Sequence, residues 1–305
     1  MRCGAGRCGG AGGRDERIYH RGVILATNLE AYEGVRRGLA GGCVLVPTMG
    51  ALHEGHASLV RQGAAFAAKH GLGGCVVTVF VNPTQFGDPA DFSRYPKTLE
   101  ADCKLCEAAG AACVLAPGVE DVYPPGAPTV VPPLPRVATE PGLEDALRPG
   151  HFAGVCQVVK RLFEITRPAA AVFGEKDWQQ LAVVSAMVRE LGMGIEIVPG
   201  PTVRDADGMA MSSRNRFLSA EDRARGLSLS RALRRARGAK TPDDAEAAMR
   251  DELAKVGVTP DYAVVRNAAT LGPRREAGDA GPWRAVIAAK VGSVRLLDNA
   301  AWGVG

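Results

Sequence analysis

Mainly apolar runs alternate along the chain with longer stretches of helical periodicity. The runs are Cys43–Val46, Cys75–Val81, Ala112–Ala116, Ala170–Phe173 and Ile195–Val198. Continuous apolar character, rather than apolar–polar alternation, predicts strands covered on both faces, as in a parallel sheet. Between them the spacing predicts helices beginning near Thr27-Asn28, from Ala51 to about Lys69, over Leu99–Ala109, over His151 to about Thr166, and from beyond Asp177 to about Leu191. Strand, helix, strand is a βαβ unit with a right-handed crossover. Pro47 is expected to end the first strand.

The pattern changes twice. From Pro117 to Pro149 the chain is crowded with Pro and Gly, which excludes a long helix and predicts an extended excursion with edge strands. Pro199-Gly200-Pro201 reads as a linker. Beyond it come a loop over 202–216, two amphipathic helices over 219 to about 256 split near Gly238-Ala239, and strand patterns at Tyr262–Val265, Ala285–Val291 and Val294–Leu297. Ser219 ahead of Glu221-Asp222 is a helix N-cap, and Ala280–Pro282 reads as a turn.

Composition narrows the class. With 305 residues, 46% apolar and 23% charged, the chain is an ordinary globular protein large enough for two domains. A formal charge of +4 is too small and scattered to predict a nucleic-acid partner. No apolar run reaches membrane-spanning length. Of the eight cysteines, Cys43, Cys75 and Cys113 lie in or beside strand-like runs, and Cys103/Cys106 form a lone Cys-x-x-Cys, so reduced thiols in a cytoplasmic setting are expected. Residues 1 to about 17 are Gly-rich, basic and aperiodic, which reads as a tail without the apolar core of a secretory signal.

The chemistry gathers at strand ends. After Cys43–Val46 the chain turns at Met49-Gly50 and enters a helix with His53 and His56 three residues apart, a spacing that puts both on one face. A glycine turn leading into a helix start is a site for anionic oxygens, through free backbone N–H groups and the helix dipole. The imidazoles suit cation-like stabilisation of a phosphate group, and Gly55 leaves room beside them. His-Glu-Gly-His lacks the spacing of a zinc-protease helix. The second run ends in Asn82-Pro83-Thr84-Gln85, polar groups facing the crevice where open α/β sheets bind ligands. The fourth ends in Gly174-Glu175-Lys176-Asp177-Trp178-Gln179-Gln180, with a mobile cation, a carboxylate and a neutral amide for a small polar substrate. Met211-Ser212-Ser213-Arg214 supplies two hydroxyls and a guanidinium able to clamp a triphosphate.

Together VPTMGALHEGH (46–56), VFVNPTQFG (79–87), FGEKDWQQL (173–181) and MSSRNRFLS (211–219), with PGHFAGV (149–155) between, resemble the pantothenate synthetase, or pantoate–β-alanine ligase, family. The likeness runs from about Val23 to the C-terminus. It implies an α/β fold: a Rossmann-like parallel sheet with helices on both faces, plus a smaller C-terminal α+β domain. The divisions would be a tail at 1–22, a nucleotide- and pantoate-binding domain at 23–200 and a lid domain at 201–305. The implied reaction joins (R)-pantoate to β-alanine through pantoyl adenylate, releasing diphosphate and AMP, with ATP as a substrate, Mg²⁺ beside it, and a cytoplasmic homodimer as the assembly.

Residue by residue, the likeness puts ATP at Met49, Gly50, Ala51, Leu52, His53, Glu54, Gly55 and His56, at Gly174, Glu175, Lys176 and Asp177, at Val203 through its backbone, and at Met211, Ser212, Ser213 and Arg214. Pantoate falls to Gln85 and Gln180, with Gln85 also near β-alanine and Asn82 beside them. His56, His53, Lys176 and Arg214 form the catalytic set, with His56 as the family's proton donor. Asp102 matches an acidic position linked to Mg²⁺, although the neighbouring Ala101 is not acidic. Tyr95 and His151 match further positions near the site. A nucleotide-binding regulator and a nucleotidyltransferase remain alternatives, separated by the product formed.

Overall fold

The computed structural model describes residues 18–20, 22–85, 96, 98–128, 130–273 and 281–303. Seven strands form the main sheet: β1 (Ile18–His20), β2 (Val23–Ala26), β3 (Val44–Thr48), β4 (Cys75–Val79), β5 (Cys113–Leu115), β6 (Ala170–Gly174) and β7 (Glu196–Gly200). Their order is β1-β2-β5-β4-β3-β6-β7, all parallel except β1, which pairs antiparallel with β2. Helices α1 (Leu29–Arg36), α2 (Glu54–His70), α3 (Leu99–Ala108), α4 (Val119–Val122), α5 (Glu144–Leu147), α6 (His151–Thr166) and α7 (Trp178–Glu190) accompany it.

Alternate residues of each strand point to opposite faces, which explains the mainly apolar runs of the central strands. Val44, Val46, Cys75, Val77 and Val172 pack on one face with Val60 of α2 and Cys103 and Cys106 of α3. Leu45, Val76, Leu115 and Phe173 pack on the other with Tyr32 of α1, Phe163 of α6 and Met187 of α7. The six cysteines at 43 and beyond are buried and free, as small apolar residues. Asn28 caps α1 by accepting the Ala31 N–H at 2.8 Å.

A second sheet, order β10-β9-β8, is antiparallel and comprises β8 (Pro260–Asn267), β9 (Trp283–Val291) and β10 (Val294–Trp302). It packs against α8 (Ala220–Ala236) and α9 (Pro242–Ala254) through Leu229, Leu233, Met249, Leu253 and Ile287. Ser219 caps α8, as expected.

Several expectations change. Pro199 and Gly200, expected in a linker, belong to β7 and pair with Phe173 and Gly174, and β10 runs past Leu297 to Trp302. Ile18–His20, placed within a tail at 1–22, instead pair with β2, supplying its open edge with backbone partners; residues 1–17 and 21 lie outside the described residues. Val23–Ala26, absent from the strand pattern although its four residues are all apolar, is a strand. The stretch 117–149 holds the short helices α4 and α5 and a 3-10 turn at Arg136–Ala138, with no strand among its described residues, because its prolines lack the N–H donors a ladder needs. Pro47 does not end β3.

The last change exposes why the sheet opens where it does. The Val44 N–H donates to Gly74 O at 3.0 Å, toward β4. By the two-residue period, Pro47 turns its nitrogen toward β6, where pairing has already stopped at Leu45–Ala171. A missing donor there costs no ladder bond, so β3 continues to Thr48 beside β4 while parting from β6. Strand order reverses at this same pair, making it the crevice where such sheets receive ligands.

Candidate active site

At the carboxyl ends of β3 and β6 lies a cavity of about 1100 Å³. Met49, His53, Gly55, His56, Gln85, Gly174, Lys176, Asp177, Gln180, Val203, Met211, Ser212, Ser213 and Arg214 all line it, so residues scattered over the sequence meet at one place.

The turn after β3 is satisfied from within. Gly50 and Ala51 both adopt left-handed conformations, φ +86° and +52°. The α2 helix begins at Glu54, with His53 as its N-cap, rather than at Ala51. His53 Nδ1 accepts the Gly55 N–H at 3.1 Å, and His56 Nδ1 accepts the His53 N–H at 3.3 Å, a capping box made of two imidazoles. Each ring therefore carries its hydrogen on Nε2. Burial first, then the neighbouring His53 and Lys176, drives the His56 pKa down to about 3, and burial and Lys176 lower that of His53. Both are neutral Nε2–H donors at pH 7, which corrects the expectation of cation-like histidines.

The backbone donors expected to bind phosphate are also engaged. Ala51 N and Leu52 N donate to the two oxygens of Asp102, at 3.1 and 2.8 Å, and Thr98 Oγ1 donates to the same carboxylate at 3.1 Å. His56 N and Ala57 N bond to His53 O. Glu54 is exposed and pairs with Arg61, away from the cavity. Gly55 lines the cavity, and a Cβ there would lie 2.9 Å from the His53 ring, so its lack of a side chain makes room for that imidazole.

Asp102, expected at Mg²⁺, is 2% exposed and wholly committed to the turn. Among the described residues no group of three His, Cys, Asp or Glu side chains converges to hold a metal ion. These residues do not fit a protein-built Mg²⁺ site, whose hard cation requires several converging oxygens.

Asn82, expected beside substrate, is 1% exposed. Its Nδ2 donates to Gly154 O at 3.1 Å and to Gln85 Oε1 at 3.3 Å, and its Oδ1 accepts from Tyr123 OH at 2.9 Å. It orients Gln85 rather than facing the cavity. Gln85 Nε2 in turn reaches Met49 Sδ at 2.8 Å, tying the β4 end to the β3 end. Gly154 permits this approach, since a Cβ would meet Thr84 O at 2.7 Å.

At the β6 end, Lys176 Nζ lies 3.6 Å from Asp177, whose side chain is 48% exposed. Against the cost of desolvation, Lys176, Arg214 and Arg148 hold the Asp177 carboxyl below its usual range. Glu175 faces away from the cavity and pairs with Arg284 at 3.2 Å. Ser212 caps a 3-10 turn by accepting the Arg214 N–H at 3.3 Å, which fixes the loop that carries Arg214. The Val203 carbonyl accepts from Met211 N at 3.0 Å.

Several lining residues escaped sequence reasoning. Arg148 and Arg295 bring two more guanidinium groups to the cavity. Arg148 donates to His151 Nε2 at 3.1 Å, and burial followed by Arg148 lowers the His151 pKa to about 4. Arg295 grips the buried Glu144 through two bonds of 2.8 and 2.7 Å. Arg148 sits one residue before the PGHFAGV segment, and proximity to that motif was its only signal. Tyr95 lies outside the described residues. No helix among the described residues is long and apolar enough to cross a membrane.

Residues 25–301 match the family model described as Pantoate-beta-alanine ligase. A pantothenate synthetase from a Nocardioides species is 49% identical over 267 residues, covering 84% of this chain and 77% of that protein. The crystal structure of pantothenate synthetase from Thermus thermophilus superposes with a TM-score of 0.80 at 40% identity, over 90% of this chain and 98% of the other. A pantoate-beta-alanine ligase from Francisella tularensis, complexed with beta-gamma ATP and beta-alanine, gives a TM-score of 0.73 at 29% identity, over 93% and 99% of the two chains.

Proposed function

The chain belongs to the pantoate–β-alanine ligase family and is an ATP-dependent enzyme of pantothenate synthesis; on that premise we propose how its cavity divides the chemistry. In the first step a pantoate carboxylate oxygen bonds to the α-phosphorus of ATP while the α–β bridging bond breaks and diphosphate leaves. In the second, the free amine of β-alanine bonds to the acyl carbon, the bond to AMP breaks, and the surplus proton on nitrogen passes to solvent. A free carboxylate is a poor acyl donor to an amine, because oxide is a bad leaving group, and adenylation supplies the leaving group it lacks.

His53 and His56 point their Nε2–H groups at the phosphates, where a pair of preorganised donors stabilises charge gained in the transition state without moving a proton. Lys176 and Arg214 neutralise the triphosphate. Gln85 and Gln180 hold pantoate, with Gln85 reaching β-alanine as well, and Val203 offers its backbone to adenine. Asp177 accepts from the ribose hydroxyls. The supporting observation is that two neutral imidazoles, both cations and both glutamines line one cavity at the parting of β3 and β6.

Residues 23–200 act as the nucleotide and pantoate platform and 201–305 as the part that covers it. Mg²⁺ enters on ATP oxygens and water, and the assembly is a homodimer working in the cytoplasm. Diphosphate release from ATP that requires pantoate, followed by AMP release that requires β-alanine, tests the reading. ATP binding without either product would reject it.

A further inference from the structure

Two adjacent polar residues interrupt the apolar interior of β10. Asp298 and Asn299 are each 5% exposed, a costly placement unless every polar atom finds a partner. Their partners belong to the two cationic loops of the cavity. Asn299 spends both hydrogens of its amide on the turn after β6, donating to Glu175 O at 2.9 Å and Lys176 O at 2.8 Å. Its Oδ1 accepts from Arg284, whose guanidinium also bonds Glu175 at 3.2 Å and stacks 3.3 Å over the Trp178 ring. Asp298 takes a two-pronged bond from Arg204, at 2.7 and 2.8 Å. Arg204 bridges to Ala210 at the base of the hairpin that leads directly into Met211–Arg214. One dipeptide on one strand thus grips both loops.

We infer that Asp298 and Asn299 are positioning residues that hold Lys176 and Arg214 in register with each other for adenylate formation. Neither need touch substrate. Asn299 fixes the backbone from which Lys176 projects, and Asp298 fixes the hairpin from which Arg214 projects. Because the two are consecutive on β10, the separation of the loops is set by the strand itself. The inference rests on the adenylation reading above and names how its cations are aligned; a misplacement of about 1 Å in such a site can cost on the order of a hundredfold in rate.

The test is a double-mutant cycle in the full-length protein, following pantoate-dependent diphosphate release. Asn299→Asp keeps the shape of the side chain and the acceptor for Arg284 but turns a carboxylate oxygen toward two carbonyls. The rate constant should fall roughly 30- to 100-fold, with KM values for ATP and pantoate within about threefold, and in a Lys176→Ala background the same change should cost less than about threefold. Asp298→Asn should show the matching non-additivity with Arg214→Ala. A purely structural role predicts the same loss in both backgrounds, and that additivity, or a near-normal rate for Asn299→Asp, would overturn the inference. If thermal scans show Asn299→Asp unfolded, Arg284→Lys replaces it in the cycle, since it keeps the charge but loses the fork joining Asn299 to Glu175. Absence of diphosphate release from the unaltered protein would instead remove the adenylation reading, and this inference with it.

Discussion

The two strand ends that build the cavity are held in opposite ways. After β3, the turn is stabilised almost entirely by its own neighbours: His53 caps Gly55, His56 caps His53, and one outside carboxylate, Asp102, takes the remaining amides. After β6, the turn that carries Lys176 depends on residues more than a hundred positions later, chiefly Asn299 and Arg284. Local closure yields rigid neutral donors. Remote support ties the position of a cation to the second sheet.

Removing the groups themselves should have the largest effect. Lys176→Ala or His56→Ala should slow diphosphate release by about a hundredfold or more, as loss of a preorganised transition-state contact does. Near-normal rates would detach either strand end from the chemistry.

Gly55→Ala attacks the β3 wall without deleting a functional group. A Cβ placed 2.9 Å from the His53 ring must displace that ring, so the rate should fall roughly tenfold to thirtyfold. An unchanged rate would show that His53 need not stay where the capping box puts it.

Asp102→Asn separates bracing from metal binding. Asparagine offers one acceptor oxygen where two amide donors, Ala51 and Leu52, now bond separate oxygens, so a loss of about tenfold is expected. The Mg²⁺ concentration for half-maximal rate should not move. A selective rise in that concentration would return Asp102 to the ion.

How far these features could be read in advance follows the same division. Apolar runs gave β3, β4, β5, β6 and β7, and the histidine turn was visible because its partners lie within four residues. Its protonation was not, since a capping role and a cationic role call for the same residue types at the same spacing. In the sequence, a polar residue at a strand end such as Asn82 looks alike whether it faces ligand or, as here, Gly154 and Tyr123. For Pro47, only the register with β6 shows that its missing N–H has no acceptor to lose. Arg295 had one faint signal, a polar residue inside an apolar strand, whereas Asp298 and Asn299 lie beyond the end of that pattern at Leu297, and nothing in the chain names their partners.

The remaining prediction concerns acid and stability rather than rate. His56 has a folded pKa of about 3 against an ordinary 6.5, so in that window the unfolded chain binds a proton that the folded protein refuses. Stability from this group is complete above pH 6.5 and falls as pH drops toward 3. His56→Gln should flatten that part of a stability-against-pH curve measured by denaturant titration, whereas an unchanged slope would mean His56 is not buried as a neutral base.

Nitrogen-15 spectra of the histidine side chains at pH 7 reach the central claim most directly. His53 and His56 should both appear as neutral rings with hydrogen on Nε2 and a bare, accepting Nδ1. Imidazolium signals, or hydrogen on Nδ1, would contradict the capping box and the neutral-donor account built on it.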